Sequence, residues 1–224
     1  MLGAATAARA ALPDYVREAL GRFSAELPPH WAFTTTTVRA KVSTAERYDP
    51  AKPPGEQWTL LRYNGRTPEA KELAKYQKLR AANPSPASSA SFNRGDIDPG
   101  SLRLRHEDGE RAEFEGGFRE ASAGADKMLR YLQLRLTVNK RVPHVERYTL
   151  RLREPYTPIL GVKMNELRVV MTFTPPAPDR PSLPAACTSH FRGRIFFIGT
   201  QEDLRVTYSD FAPSGQRPAA AAAE

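Results

Sequence analysis

The stretch Tyr131 to Val138 reads Y-L-Q-L-R-L-T-V, with Leu132, Leu134, Leu136 and Val138 in one phase and Gln133, Arg135 and Thr137 in the other. Alternation with period two is the mark of a β-strand with one buried and one wet face. The pattern returns at Tyr148 to Arg153, where Tyr148, Leu150 and Leu152 alternate with Thr149, Arg151 and Arg153. It returns again at Leu167 to Phe173, with Leu167, Val169, Met171 and Phe173 in phase. Strands of this kind in series predict an antiparallel sheet, apolar on one side and basic on the other. Such a sheet must cover its apolar face, and the nature of the cover bears on function.

The chain has 224 residues, of which 40% are apolar and 26% charged. That composition describes a globular chain long enough for a large core. No stretch approaches the roughly 18–20 apolar residues of a membrane-spanning helix. Cys187 stands alone, which excludes a disulfide within the chain and a cysteine-based metal site. The net charge is +8, from 33 Lys plus Arg against 25 Asp plus Glu. A basic excess suits an anionic partner, or serves solubility alone. The arginines alternate along strands and form no block, which favours a solvated sheet face over a nucleic-acid arm.

Outward from the strands, Pro13 to Leu27 is expected to form a helix, with Val16, Leu20, Phe23 and Leu27 at helical spacing and Pro28-Pro29 as its stop. Trp31 to Val42 and Gln57 to Tyr63 read as strands around the turn Asp49 to Gly55. A second helix is expected from an N-cap at Thr67, with Pro68 in its first turn, to about Ala82. Residues 83–100 are rich in Pro, Ser, Asn and Gly and are expected to form a mobile loop, or one ordered by ligand. Leu102 to Glu107 and Arg111 to Phe118 read as a hairpin across Asp108-Gly109. A short helix is expected within Glu120 to Leu129. The long strands are placed at 130–139, 144–154, 162–174, 187–198 and 201–211, with the last turn at Gly199 to Glu202. A strand-rich order with one helix at the start and one inside reads as α+β. One domain over residues 12–212 is expected, with disordered tails at 1–11 and 213–224. Ala8-Arg9-Ala10 has the small-x-small form of a signal-peptidase site, read as the remnant of a trimmed export signal.

The catalytic signatures for phosphate loops, dinucleotide folds, zinc proteases and serine hydrolases are absent. His30, His106, His144 and His190 lie singly, without metal-ligand spacing, and read as solvent-facing histidines. Asp96-Ile97-Asp98-Pro99-Gly100 reads as a turn with Asx capping, not a cation loop. No catalysis, no cofactor and no metal are therefore expected.

The aromatic residues fall on strands, and core packing accounts for many of them. Two or three helices are nevertheless few for a sheet of about nine or ten long strands, and an incompletely covered apolar face is a ligand groove by default. The expected ligand-binding residues are Trp31, Phe33, Trp58, Leu60, Leu132, Leu134, Leu136, Tyr148, Leu150, Leu152, Val169, Met171, Phe173 and Phe197. Arg103, Arg105, Arg135, Arg151, Arg153 and Arg168 are expected on the opposite face as a broad positive surface.

Several segments resemble the outer-membrane lipoprotein-sorting (LolA/LolB-like) family. They are W-A-F-T-T-T at 31–36, R-Y-D-P at 47–50, Gln57 to Leu61, and Asn64-Gly65-Arg66-Thr67-Pro68 before a helix. The likeness continues through residues 130–145, 154–164, 191–197 and 208–211. It implies a strongly curved antiparallel sheet, a half-open barrel, with helices over its concave apolar face. It also implies a periplasmic, non-enzymatic carrier of lipoprotein acyl chains or other lipids. The partners expected are those acyl chains, an anionic membrane surface or a membrane-bound donor or acceptor protein, and the carrier is expected to be a monomer. The strong basic charge and the Pro/Ser insertion at 83–100 depart from that family's pattern, and no single arginine here matches its lid-locking one. The competing reading is a nucleic-acid-binding β protein. It would need aromatics on the basic face for base stacking, whereas Leu134, Leu136, Leu150 and Leu152 alternate with Arg135, Arg151 and Arg153, so apolar and charged groups are segregated. No nucleic-acid partner is therefore expected.

Overall fold

The structure is a computed structural model describing residues 11–82, 92–120 and 128–214. Two α-helices and eleven strands follow in the order α1 (Asp14–Arg22), β1 (Trp31–Arg39), β2 (Val42–Tyr48), β3 (Trp58–Tyr63), α2 (Ala70–Ala82), β4 (Arg103–Glu107) and β5 (Arg111–Gly116). Then come β6 (Leu132–Asn139), β7 (His144–Leu152), β8 (Tyr156–Ile159), β9 (Val162–Phe173), β10 (Pro184–Ile195) and β11 (Ile198–Pro213). The strands form one sheet in the order β3-β2-β1-β11-β10-β9-β7-β6-β5-β4, with β8 on the remaining length of β9. Consecutive strands pair as antiparallel neighbours almost throughout, and β11 returns beside β1. The sheet is not closed: β3 and β4 are its edges.

Residues directly opposite one another in an antiparallel pair share a face. Leu134, Leu150, Val169 and Ser189 are opposite in turn across β6, β7, β9 and β10. Cys187 faces Val206, Tyr208 faces Thr35, and Thr35 faces Glu46, which faces Leu60. The phase read from the Leu-rich strands therefore runs across the sheet from β6 to β3. Both helices lie on this one face, α1 over β6 and β7 and α2 against β3.

Helix α1 starts where expected, with the Val16 and Arg17 amides donating to the Pro13 carbonyl at 3.0 and 3.1 Å. It ends at Arg22, short of the expected Leu27. Phe23 is already extended, and it leaves the helix to insert its ring among Phe92, Tyr148 and Phe173 at centroid distances of 6.0, 6.1 and 5.5 Å. Helix α2 begins at Ala70, and its cap lies two residues beyond the expected Thr67. The Glu69 amide donates to the Glu72 carboxylate at 2.8 Å, while Arg66 holds the same carboxylate from the other side.

The expected loop at 83–100 divides. Residues 83–91 lie outside the described residues, as do 121–127, where the short helix was expected, and most of both tails. Residues 92–100 pack against the sheet. Phe92 and Ile97 are 3% and 1% exposed, a capping box joins Asn93 and Asp96, and Ile97 bridges Phe118. Averaged composition hid these two apolar anchors. The Asx reading of the turn holds: the Asp98 side chain accepts from the Gly100 amide at 2.9 Å. Pro213 belongs to β11, not to a tail, and pairs with Trp31.

The final hairpin also differs from expectation. Its turn is Phe196-Phe197, closed by Ile195 opposite Ile198, and not the polar Gly199 to Glu202. Gly199 and Gln201 instead continue β11, opposite Arg194 and Arg192. In the same region Gly193 is buried at a register shift between β9 and β10. A Cβ there would lie 2.5 Å from the Lys163 carbonyl oxygen and 2.7 Å from the Phe191 ring. The oxygen belongs to the backbone and cannot move without disturbing the ladder. Gly193→Ala is expected to cost about 1–3 kcal/mol, read as a lower urea midpoint at unchanged slope.

Candidate ligand-binding cleft

The expected ligand-binding residues are distributed over three places. Leu132, Leu134, Leu136, Tyr148, Leu150, Val169, Met171 and Phe173 form a closed core with Val16, Ala19 and Phe23 of the α1 region and with Phe92, Ile97 and Leu102. Leu152 packs at its margin, half-buried. Their common phase is as read, but they are covered and do not line one open groove. The cover comes from segments distant in sequence, which strand alternation cannot reveal.

Phe33 and Leu60 are buried in a second cluster, with Trp58 half-buried beside them. The Phe33 ring meets Tyr48, Trp58, Tyr208 and Phe211 at 5.2, 6.0, 6.1 and 5.6 Å. Trp31 is half-buried at the start of β1. Helix α2 lies over this cluster without burying any side chain of its own. A polar clamp holds it: the Glu46 carboxylate accepts from Thr44 Oγ1 at 2.9 Å, from the Tyr76 hydroxyl at 3.0 Å, and from Arg80. The Arg80 guanidinium stacks 4.0 Å from the centroid of Trp58. Burial, and then the Glu46 charge, push the Tyr76 pKa upward. Phe197 belongs to neither cluster and is 97% exposed at a hairpin tip.

At the C-terminal end of α1 the covered face opens. A cleft of about 310 Å³ is lined by Ala19, Phe23, Val145, Phe173, Pro176 and Pro181, with Arg22, Ser24, Ser182 and His144 as its polar members. Phe173 is thus the one expected binding residue that lines it. Sequence reading missed His144, taken there as solvent-facing; it is 3% exposed. The apolar neighbours Val142 and Val145 were the available signal. The Nδ1 of His144 lies 2.6 Å from the Val142 carbonyl oxygen, which can only accept, so Nδ1 carries a proton. Nε2 is then the acceptor in neutral imidazole, and it has no hydrogen-bond partner within the protein. A second buried atom in the same condition is the Tyr148 hydroxyl, within the core closed by Phe23. Beyond it lie Cys187 and Tyr208, and burial raises the Cys187 pKa to about 11.

On the opposite face part of the expected positive charge is paired. Arg135 and Arg105 flank Glu115 at 3.0 and 4.0 Å, and Arg147 meets Glu113 at 3.0 Å. A larger depression of about 730 Å³ on that face includes Arg168, His190, Asp203 and Arg205. Its histidine is already bonded to Asp203 at 2.7 Å. Among the described residues no three His, Cys, Asp or Glu side chains gather as a metal site would require. No described helix is long and apolar enough to cross a membrane. Comparison of the chain with protein-family models, with curated proteins and with solved structures finds no match.

Proposed function

We propose that this protein is a non-catalytic carrier of an apolar ligand with one polar end, such as the acyl chain of a lipid or lipoprotein. The observation that carries this reading is the cleft beneath α1: apolar walls with a buried acceptor, His144 Nε2, that the protein leaves unsatisfied. Binding sites for small molecules combine an apolar lining with a few placed polar groups in this way. A buried polar atom without a partner is costly, so a ligand hydroxyl or acid proton donated to Nε2 is favoured twice over. The chain's tail lies along Phe173 and Pro181. A longer tail reaches Tyr148 and Leu150 once Phe23 gives way, which makes α1 and Phe23 the lid. The resemblance to lipoprotein-sorting proteins agrees with this assignment, and with it a periplasmic location and a sheet curved into a half-open barrel.

The test is displacement of a fluorescent fatty acid from the delipidated protein, together with a native mass spectrum of the protein as purified. Ser24 is exposed at the rim, so Ser24→Trp should close the cleft without disturbing the fold and should abolish displacement. His144→Leu should weaken binding of the fatty acid by up to about tenfold, the worth of one hydrogen bond. It should leave binding of an alkane of equal length nearly unchanged. Absence of any bound lipid and of any fatty-acid binding would sink the carrier reading.

A further inference from the structure

The tips of the β8–β9 and β10–β11 hairpins lie side by side, the Phe196 amide donating to the Gly161 carbonyl at 2.5 Å. Together they expose Ile159, Leu160, Phe196, Phe197 and Ile198, at 66%, 96%, 71%, 97% and 74%. The turn itself breaks the usual chemistry. Two-residue hairpin loops favour Asn-Gly or similar pairs because backbone torsions there turn positive. Here Phe196 holds φ at 53° and its neighbour is a second phenylalanine. A departure from local preference that leaves two aromatic rings in water marks a surface kept for a partner. Gly161, at φ 84°, lets the Phe196 ring close in; a Cβ would lie 2.8 Å from it. The two tips are thereby fixed as one unit.

Below this apex, next along the ladder from Val162 opposite Ile195, Lys163 stands directly opposite Arg194. Like charges in that position repel. Among the described residues neither makes an ion pair, whereas Arg192, farther from the tip, meets Glu166 at 3.4 Å. The apolar apex thus ends in a collar of two unneutralised cations.

We propose that the paired tips insert into a bilayer whose surface carries anionic headgroups. The apex enters the acyl boundary while Lys163 and Arg194 bind phosphate. The dimensions agree. Two to three residues separate the collar from the apex, about 7–10 Å at strand rise, the depth to which interfacial elements bury their apolar face. A second copy of this chain is the poorer occupant, since pairing apex to apex would bring two basic collars together. The proposal is independent of the ligand in the cleft.

The experiment is co-sedimentation of the full chain with vesicles of phosphatidylcholine alone and of phosphatidylcholine with phosphatidylglycerol. The wild type should prefer the anionic vesicles, and the preference should fall as salt rises. F196N/F197G removes both rings and places at 196 a residue that tolerates the positive φ, so it should keep the thermal midpoint nearly unchanged while losing more than about tenfold in vesicle affinity. K163Q/R194Q should lose about tenfold on anionic vesicles and little on neutral ones. A Phe197→Trp variant should show blue-shifted emission on anionic vesicles. The proposal is overturned if F196N/F197G sediments like the wild type, or if the wild type binds neither vesicle. It is equally overturned if the wild type forms a dimer that F196N/F197G dissolves while vesicle binding is absent.

Discussion

Leu134→Ala is expected to lower unfolding stability by about 2–5 kcal/mol, as for large-to-small changes in a closed core. Leu134 is wholly buried, set between Leu150 on β7 and Gly116 on β5. Its neighbours cannot collapse inward easily, because Gly116 is itself crowded by Ser101 and Leu102, within 2.8 and 2.9 Å of where a Cβ would lie. Leu134→Trp tests the same site from the opposite side. In an open groove the indole would be accommodated; in this core it must displace Phe92, Ile97 or α1, and overpacking costs about 1–3 kcal/mol or more. Urea midpoints at constant slope, read for both variants, decide the matter. If both substitutions are nearly neutral, the face is an open groove and the core described above is wrong. Leu152→Ala, at the half-buried margin, should cost less than Leu134→Ala.

Much of the sheet was legible because alternation is local. The phase of β6, β7 and β9 follows from their Leu, Val and Met spacing, and the β4–β5 turn from Asp108-Gly109. Three features were not local. Strand β8 carries Pro158 and runs only from Tyr156 to Ile159, so it has no alternation to read. The Phe196-Phe197 turn carries none of the residues that signal a turn, and the neighbouring Gly199 drew the boundary into β11. The cover of the apolar face comes from Val16 and Phe23 on one side and Phe92 and Ile97 on the other. These belong to segments separated by three strands and a helix, and only tertiary contact unites them. The cleft was hidden for the same reason: His144 looks like any isolated histidine until Phe173 and the chain through Pro176 and Pro181 close around it.

Helix α2 should prove to be held by chemistry rather than by burial, and Glu46→Ala should expose this. Three donors converge on the Glu46 carboxylate, from Thr44, Tyr76 and Arg80, and the side chain is 9% exposed against 22% for Arg80. Removing it strands the guanidinium over Trp58 and leaves the Tyr76 hydroxyl without its acceptor. Breaking a buried pair in this way costs about 3–5 kcal/mol; the lower end applies, because Arg80 keeps some contact with water. The loss should also be uneven. Leu73 and Leu79 on α2 are exposed at 37% and 57%, so apolar burial holds the helix only weakly once the clamp is gone. Amide exchange should accelerate across residues 70–82 and much less in β6 and β7, whose protection rests on α1. The double variant Glu46→Leu/Arg80→Met should recover much of the global stability, since an apolar pair of similar volume removes both stranded charges. If single and double variants lose equally, the ion pair is incidental and α2 is held by the Trp58 contact alone. If exchange speeds up uniformly, the two helices are one cooperative cover, and a ligand that lifts α1 must lift α2 with it.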